Sequence, residues 1–266
     1  MPGSDPLAAA LAAAISEAGT LALTTFRRPL RHWTKGNASP VSEADFAVDA
    51  LLRRRLAEAA PDAGWLSEES EDEPARLTAR RLWVVDPIDG TRAYLAGFTD
   101  WSISAALVVH GRPVLAALIV PAEQALFLAR AGGGATLNGA PIAATAGTGL
   151  TGLRVAGPKR DLDRLEAKGL APQALSRIHS LALRIARVAE GAIDAAFAGG
   201  ASHDWDLAAA DLLVHEAGGV LTTVEGQALT YNQPDPVHGP LIAAGRARHA
   251  RLLGVMGVRL GVQQAD

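Results

Sequence analysis

The stretch Leu82-Trp83-Val84-Val85-Asp86-Pro87-Ile88-Asp89-Gly90-Thr91 decides how the rest of this 266-residue chain is read. The apolar run Leu82 to Val85 has the composition of a core strand, and it stops on Asp86. Pro87 cannot donate to the interior of a sheet, so the strand is expected to end there. A second carboxylate follows at Asp89. Then come Gly90, free to adopt backbone angles closed to other residues, and the hydroxyl of Thr91. Such a turn aims two carboxylates and a carbonyl oxygen at one point. Carboxylates held that close repel unless a proton or a cation sits between them. Oxygen-only ligands suit a hard divalent cation, Mg²⁺ before Zn²⁺. Alone, the pattern is equally that of an ordinary turn, since Asp-Pro and Asp-Gly are common turn dipeptides.

Upstream, residues 6–29 read as an amphipathic helix closed by Arg27-Arg28-Pro29, followed by a polar loop from Lys35 to Pro40. Ser42 is a candidate N-cap with Asp45 in the first turn, opening a helix that turns Phe46, Val48, Leu51, Leu52 and Leu56 inward. Gly64 to Ser67 is a short strand running into Glu68-Glu69. Downstream, Ser102–His110 and Arg112–Val120 flank His110-Gly111 as a hairpin, and Gln124–Ala129 adds a strand. The second half alternates strands and helices, with a helix expected from Asp206 to Ala217 and a hairpin over 220–229. The small-residue segment Ala143 to Gly152 divides the chain into an N-terminal α+β half, residues 1–145, and a C-terminal α/β half, residues 146–266. The pattern is that of a layered α+β to α/β protein.

Composition narrows the function. The formal net charge of −3 leaves no basic footprint, which argues against binding of nucleic-acid polymer. The absence of cysteine excludes disulfides, thiolate metal sites and cysteine nucleophiles. The Ala- and Leu-rich segment from Leu7 to Leu23 lacks a basic leader and contains Glu17, so it reads as a helix and not as a signal peptide. No apolar run reads as long enough to span a bilayer, and the expected location is cytoplasmic.

Three carboxylate groups stand at the ends of elements: Glu68 after one strand, Asp86 and Asp89 after another, and Asp206 at a helix start behind His203-Asp204-Trp205. Each has a plainer reading. Glu68 is one of several solvated acids, Asp206 and Asp45 suit helix starts favoured by the dipole, and His203 suits a structural hydrogen bond. Their conjunction is what carries the argument.

That conjunction resembles the inositol monophosphatase-like family of Mg²⁺-dependent, lithium-sensitive phosphatases. The matching motifs are Trp83 to Thr91, Trp205-Asp206 with Ala217-Gly218-Gly219 downstream, Glu68-Glu69-Ser70, and Ser39 to Asp45. The resemblance implies an α-β-α-β-α layered sandwich, a homodimer, and a small phosphorylated metabolite as substrate. It also implies that Glu68, Asp86 and the carbonyl of Ile88 hold one Mg²⁺ and that Asp86, Asp89 and Asp206 hold a second. A third, weaker ion is implied beside Glu68. Thr91 with Asp45 would activate the attacking water, and the amides of Gly90 and Thr91 would receive phosphate oxygens.

For the substrate, the acidic residue that inositol phosphatases place before His-x-Trp-Asp is absent from Ala195 to Gly200, and His179 replaces the glycine of a phosphate-proximal segment. Asp89 to Tyr94 and Ser39 to Ser42 look closer to bacterial 3'(2'),5'-bisphosphate nucleotidases. Histidinol-phosphate phosphatases share the Asp-Gly-Thr-Arg-Ala pattern. On the nucleotidase reading, Lys159 and Arg160 are the first candidates for a second phosphate, with Arg92 and His179 behind them; a solvated basic pair is the plainer reading of the first two.

Overall fold

The computed structural model describes residues 5–35 and 39–256. In chain order the elements are α1 (Pro6–Thr25), β1 (His32–Lys35), β2 (Ser39–Ser42), α2 (Glu43–Ala59), β3 (Gly64–Ser67), β4 (Arg81–Asp89), α3 (Thr91–Ala96), β5 (Ser102–Val109), β6 (Arg112–Val120), β7 (Ala125–Arg130), β8 (Gly134–Leu137) and β9 (Ala140–Pro141). They continue with β10 (Arg154–Ala156), α4 (Lys159–Ala167), β11 (Gln173–Ala174), α5 (Leu181–Ala189), β12 (Ala195–His203), α6 (Asp204–Glu216), β13 (Gly219–Thr223), β14 (Val237–Gly245) and α7 (Arg246–Met256).

The strands form a seven-stranded sheet in order β3-β4-β5-β6-β7-β8-β9 and a five-stranded sheet in order β11-β10-β12-β14-β13. The period-two alternation of side chains sorts them into layers. On β4, Trp83 and Val85 join the core formed with α1 and α2, whereas Leu82 and Val84 face α5, α6 and the second sheet. On β12, Ala196 and Ala198 face that same central core, and Ala195 and Phe197 face outward to Leu165 of α4 and Leu252 of α7. The result is an α-β-α-β-α sandwich. The change of sheet falls between Pro141 and Arg154, yet the central core draws on both sides of it.

Several expectations are corrected. β4 does not end at Pro87. It pairs with β5 through Asp86↔Ser104, shifts register, and resumes at Asp89↔Ser102. On its other side β3 covers β4 only as far as Ser67↔Val85, so Pro87 lies where no ladder bond is asked of it. Phe46 is 41% exposed and stacks on Trp33 at 5.5 Å. α1 stops at Thr25, because Phe26 leaves the helical region at ψ 131°, and Arg27 follows in the left-handed region at φ 59°. With a mean hydropathy of 1.6 over a window of its 20 residues, α1 is long and apolar enough to cross a bilayer, contrary to the expectation that no run would be. Its buried face (Leu11, Ile15, Ala18, Ala22) packs in the core with α2 instead. The hairpin expected over 220–229 is the single strand β13, paired with β14.

Candidate active site

β4 delivers Asp86 and Asp89 to the edge of the central core, and the irregularity between them lets both carboxylates face the same side. Asp86 is fully buried, and neither carboxylate oxygen has a hydrogen-bond partner among the described residues. An unpaired buried carboxylate costs several kcal/mol unless it is neutralised. Burial pushes the Asp86 carboxyl well above its ordinary range, and the charges of Glu68, Asp89, Asp206 and Asp45 push it further.

Asp206 arrives from the other half of the chain. It sits in the first turn of α6, where its Oδ2 accepts the backbone N–H of His203 at 2.6 Å. The helix end is pinned by Ser104 Oγ, which donates to the Trp205 carbonyl at 3.3 Å. Asp204 fixes it further, accepting Asn232 N at 2.7 Å and lying 2.7 Å from His238 Nε2. One ligand atom from each of Asp86, Asp89 and Asp206 then lies within 4.8 Å of the others. Asp89 Oδ2 accepts Ser180 Oγ and Ala182 N, both at 2.6 Å, at the start of α5. Burial and then the charge of Asp206 nevertheless push its carboxyl up to about 7. Three mutually repelling carboxylates, with those of Asp86 lacking a hydrogen-bond partner among the described residues, fit a divalent cation.

Glu68 lies outside that tight trio but lines the same cavity of about 260 Å³, together with Ile88, Asp89, Gly90, Thr91, Arg92, His179 and Asp206. The loop carrying it is anchored from α2, where Asp49 accepts the hydroxyls of Ser67 and, at 2.9 Å, Ser70.

Thr91 Oγ1 lies 3.1 Å from Asp45 Oδ1 and 3.0 Å from the Ile88 carbonyl. It has one proton for two acceptors. Asp45 Oδ2 accepts Ser42 N at 2.8 Å and Ser42 Oγ at 2.6 Å, so one oxygen caps α2 and the other faces Thr91. Burial raises the Asp45 pKa. Gly90, at φ 93°, caps the short helix α3. A Cβ there would lie 3.3 Å from Ser180 N, so both its angle and its neighbours call for glycine.

His179 Nδ1 lies 2.7 Å from Asp100 Oδ2, and its ring stacks on Phe98 at 5.2 Å. Arg177, also on the cavity wall, forms no ion pair or hydrogen bond with the described residues. Lys159 and Arg160 are elsewhere. Lys159 Nζ is bound to both oxygens of Asp163 (2.8 and 2.9 Å), Arg160 bonds the Gly199 carbonyl, and neither lines the cavity.

Of the residues expected at the site, the structure sets Glu68, Ile88, Asp89, Gly90, Thr91, Arg92, His179 and Asp206 on one cavity, Asp86 beside Asp89 and Asp206, and Asp45 against Thr91, while Lys159 and Arg160 lie apart. Sequence reasoning missed Asp49, Asp100, Arg177, Ser180 and Asp204. A signal existed for Asp49, one turn beyond Asp45 on the same helix face, and for Ser180 as an N-cap.

A model of the inositol monophosphatase family matches residues 4–255. The inositol-1-monophosphatase of Rhizobium meliloti is 37% identical over 201 residues, 72% of this chain and 75% of that protein. The 3'-phosphoadenosine 5'-phosphate phosphatase of Mycobacterium bovis is 34% identical over 77% of this chain and 75% of its own length. Among solved structures, the extragenic suppressor protein suhB of Bartonella henselae superposes with a TM-score of 0.83 at 27% identity, covering 96% of this chain and 98% of that one.

Proposed function

This chain belongs to the inositol monophosphatase family, whose members hydrolyse phosphate monoesters, and on that premise we propose that it is a Mg²⁺-dependent 3'(2'),5'-bisphosphate nucleotidase. The observation that carries the metal-dependent chemistry is Asp86, whose buried oxygens have no hydrogen-bond partner among the described residues and of which one lies within 4.8 Å of a carboxylate oxygen of Asp89 and of Asp206. Asp86, Asp89 and Asp206 would hold one cation, and Asp86, Glu68 and the Ile88 carbonyl a second. When bound, such a pair neutralises charge on the attacking and leaving oxygens of an in-line displacement.

The protein groups do the rest. Asp45 accepts the Thr91 proton through the oxygen that Ser42 leaves open, which turns a lone pair of Thr91 Oγ1 towards the attacking water. The amides of Gly90 and Thr91, in the unpaired first turn of α3, receive phosphate oxygens. Ser180 and Ala182 hold the Asp89 carboxylate in place.

A substrate with charge beyond the scissile phosphate is favoured by the cavity wall. Arg92, Arg177 and His179 line it, and Arg177 has no counter-charge among the described residues. No acid lies among Ala195 to Gly200 to read a polyol hydroxyl. The similarity to the Mycobacterium bovis phosphatase supports the same reading. The test is kcat/KM for adenosine 3',5'-bisphosphate against inositol 1-phosphate at equal Mg²⁺. A preference for the bisphosphate of about tenfold or more is expected, equivalent to ~1.4 kcal/mol. The reverse preference would overturn the substrate, and no metal-dependent phosphate release from either would overturn the chemistry.

A further inference from the structure

Beside the active-site cavity lies a larger one of about 920 Å³, bounded by the end of α1, the segment 27–32 and α3. Arg27, Arg28, His32 and Arg92 line it, and among the described residues no carboxylate does. Pro40 and Arg92 line both cavities, so the two share a wall and Arg92 stands between them.

Arg27 and Arg28 have no carboxylate partner among the described residues. Arg28 is exposed; its backbone N–H donates to the Thr25 carbonyl at 3.1 Å, and its guanidinium forms no ion pair or hydrogen bond with the described residues. Arg27 is held in place without a carboxylate. Its Nε and Nη2 donate to the Gly97 carbonyl at 3.1 and 3.0 Å, and its guanidinium lies 5.0 Å from the Phe26 ring centre. The backbone accepts a left-handed angle at Arg27 to put it there. Arg92 occupies the first turn of α3, the end at which a helix disfavours a cation. Cations gathered around a concavity repel one another unless an anion enters, and guanidinium groups match phosphate oxygens in a two-pronged grip.

We propose that this cavity is the subsite for the second, non-scissile phosphate of the substrate, with Arg27 and Arg28 gripping it and Arg92 bridging the two phosphates. The proposal rests on the phosphatase reading above. It replaces Lys159 and Arg160, which Asp163 and the Gly199 carbonyl already occupy. A ligand confined to the metal cavity would never meet Arg28, whereas one with two phosphates spans the shared wall.

The experiment uses Arg28→Glu, which reverses a wall charge on a side chain with no hydrogen bond or ion pair among the described residues, and Arg28→Lys, which keeps it. The readout is kcat/KM for adenosine 3',5'-bisphosphate divided by kcat/KM for p-nitrophenyl phosphate. Loss of one charge-assisted bidentate contact predicts a fall of about tenfold or more in this ratio for Arg28→Glu. Arg28→Lys should stay within about threefold of wild type, since a point charge keeps part of the attraction. A ratio for Arg28→Glu within about twofold of wild type would overturn the subsite. Should the wild-type enzyme show no preference for the nucleotide, the nucleotide reading falls by itself. The subsite is then judged on fructose 1,6-bisphosphate as a competitive inhibitor of p-nitrophenyl phosphate hydrolysis. Weakening of about tenfold in Arg28→Glu supports it, and an unchanged inhibition constant overturns it.

Discussion

Asp89→Asn tests directly whether the buried acids are built for a cation. Burial and Asp206 raise the Asp89 carboxyl from 3.8 to about 7 despite the hydrogen bonds from Ser180 and Ala182. In the metal-free protein the folded state therefore binds this proton more tightly than the unfolded chain does. Its stability falls as pH rises from about 4, and the loss is complete once pH passes the folded value near 7. A rise of about three pH units at ~1.4 kcal/mol each puts the full loss at roughly 4 kcal/mol. The asparagine carbonyl can still accept from Ser180 and Ala182, and the amide carries no charge. In EDTA at pH 8 the variant should therefore melt higher than wild type by up to roughly 10 °C. At pH 5 the gain should shrink to about 2 kcal/mol, because the wild-type carboxyl is then mostly protonated. With millimolar Mg²⁺ the order should reverse, since only the wild type gains fully from cation binding. Calorimetric melts at the two pH values, with and without Mg²⁺, supply the comparison. If Asp89→Asn destabilises the EDTA-treated protein equally at pH 5 and pH 8, Asp89 is a satisfied structural anion and the reasoning fails.

Two further predictions concern turnover. Asp86→Asn removes the carboxylate proposed to be shared by both cations, so activity should vanish and raised Mg²⁺ should not restore it. Glu68→Gln, outside the tight trio, should recover part of its activity at high Mg²⁺, and a full Mg²⁺ titration of phosphate release separates the two. Thr91→Ala, Asp45→Asn and the double variant should each lose a similar factor of roughly 10²–10⁴ in kcat, as a single unit acting on the water. Additive losses in that cycle would divide the roles, and a fall in Tm with kcat retained in Asp45→Asn would make Asp45 only a cap of α2.

The fold was legible wherever one local signal dominated. His110-Gly111 lies between two β-rich runs and takes positive φ at both residues, so the β5–β6 hairpin follows from the sequence. Ser42 with Asp45 announced α2 in the same way. Signals failed where tertiary context overrode them. Pro87 is a strand-breaker by itself, and it is tolerated because β3 stops short of it. Phe46 has a core residue's chemistry and finds its partner in Trp33 on the surface instead. The metal-type acids were readable because each closes an element, where a side chain can be aimed without disturbing a ladder. The cationic wall was not, because Arg27, Arg28 and Arg92 are 64 or more positions apart in part and meet only when α3 packs beside the end of α1. Lys159-Arg160 misled for the opposite reason: adjacency in sequence made a pair conspicuous whose charges are spent locally.

Asp206 joins Asp86 and Asp89 only after a connection of more than a hundred residues has closed, and the Ser104–Trp205 bond that secures it spans 101 positions. A chain emerging from the ribosome thus displays Glu68, Asp86 and Asp89 well before their last companion exists. Closing so long a connection is entropically costly and slow, so it belongs to the final stage of assembly. On the proposed metal reading, cation capture would seal finished molecules and would not nucleate their formation. During refolding, the moment at which Mg²⁺ affinity appears would date the docking of α6 against the first sheet.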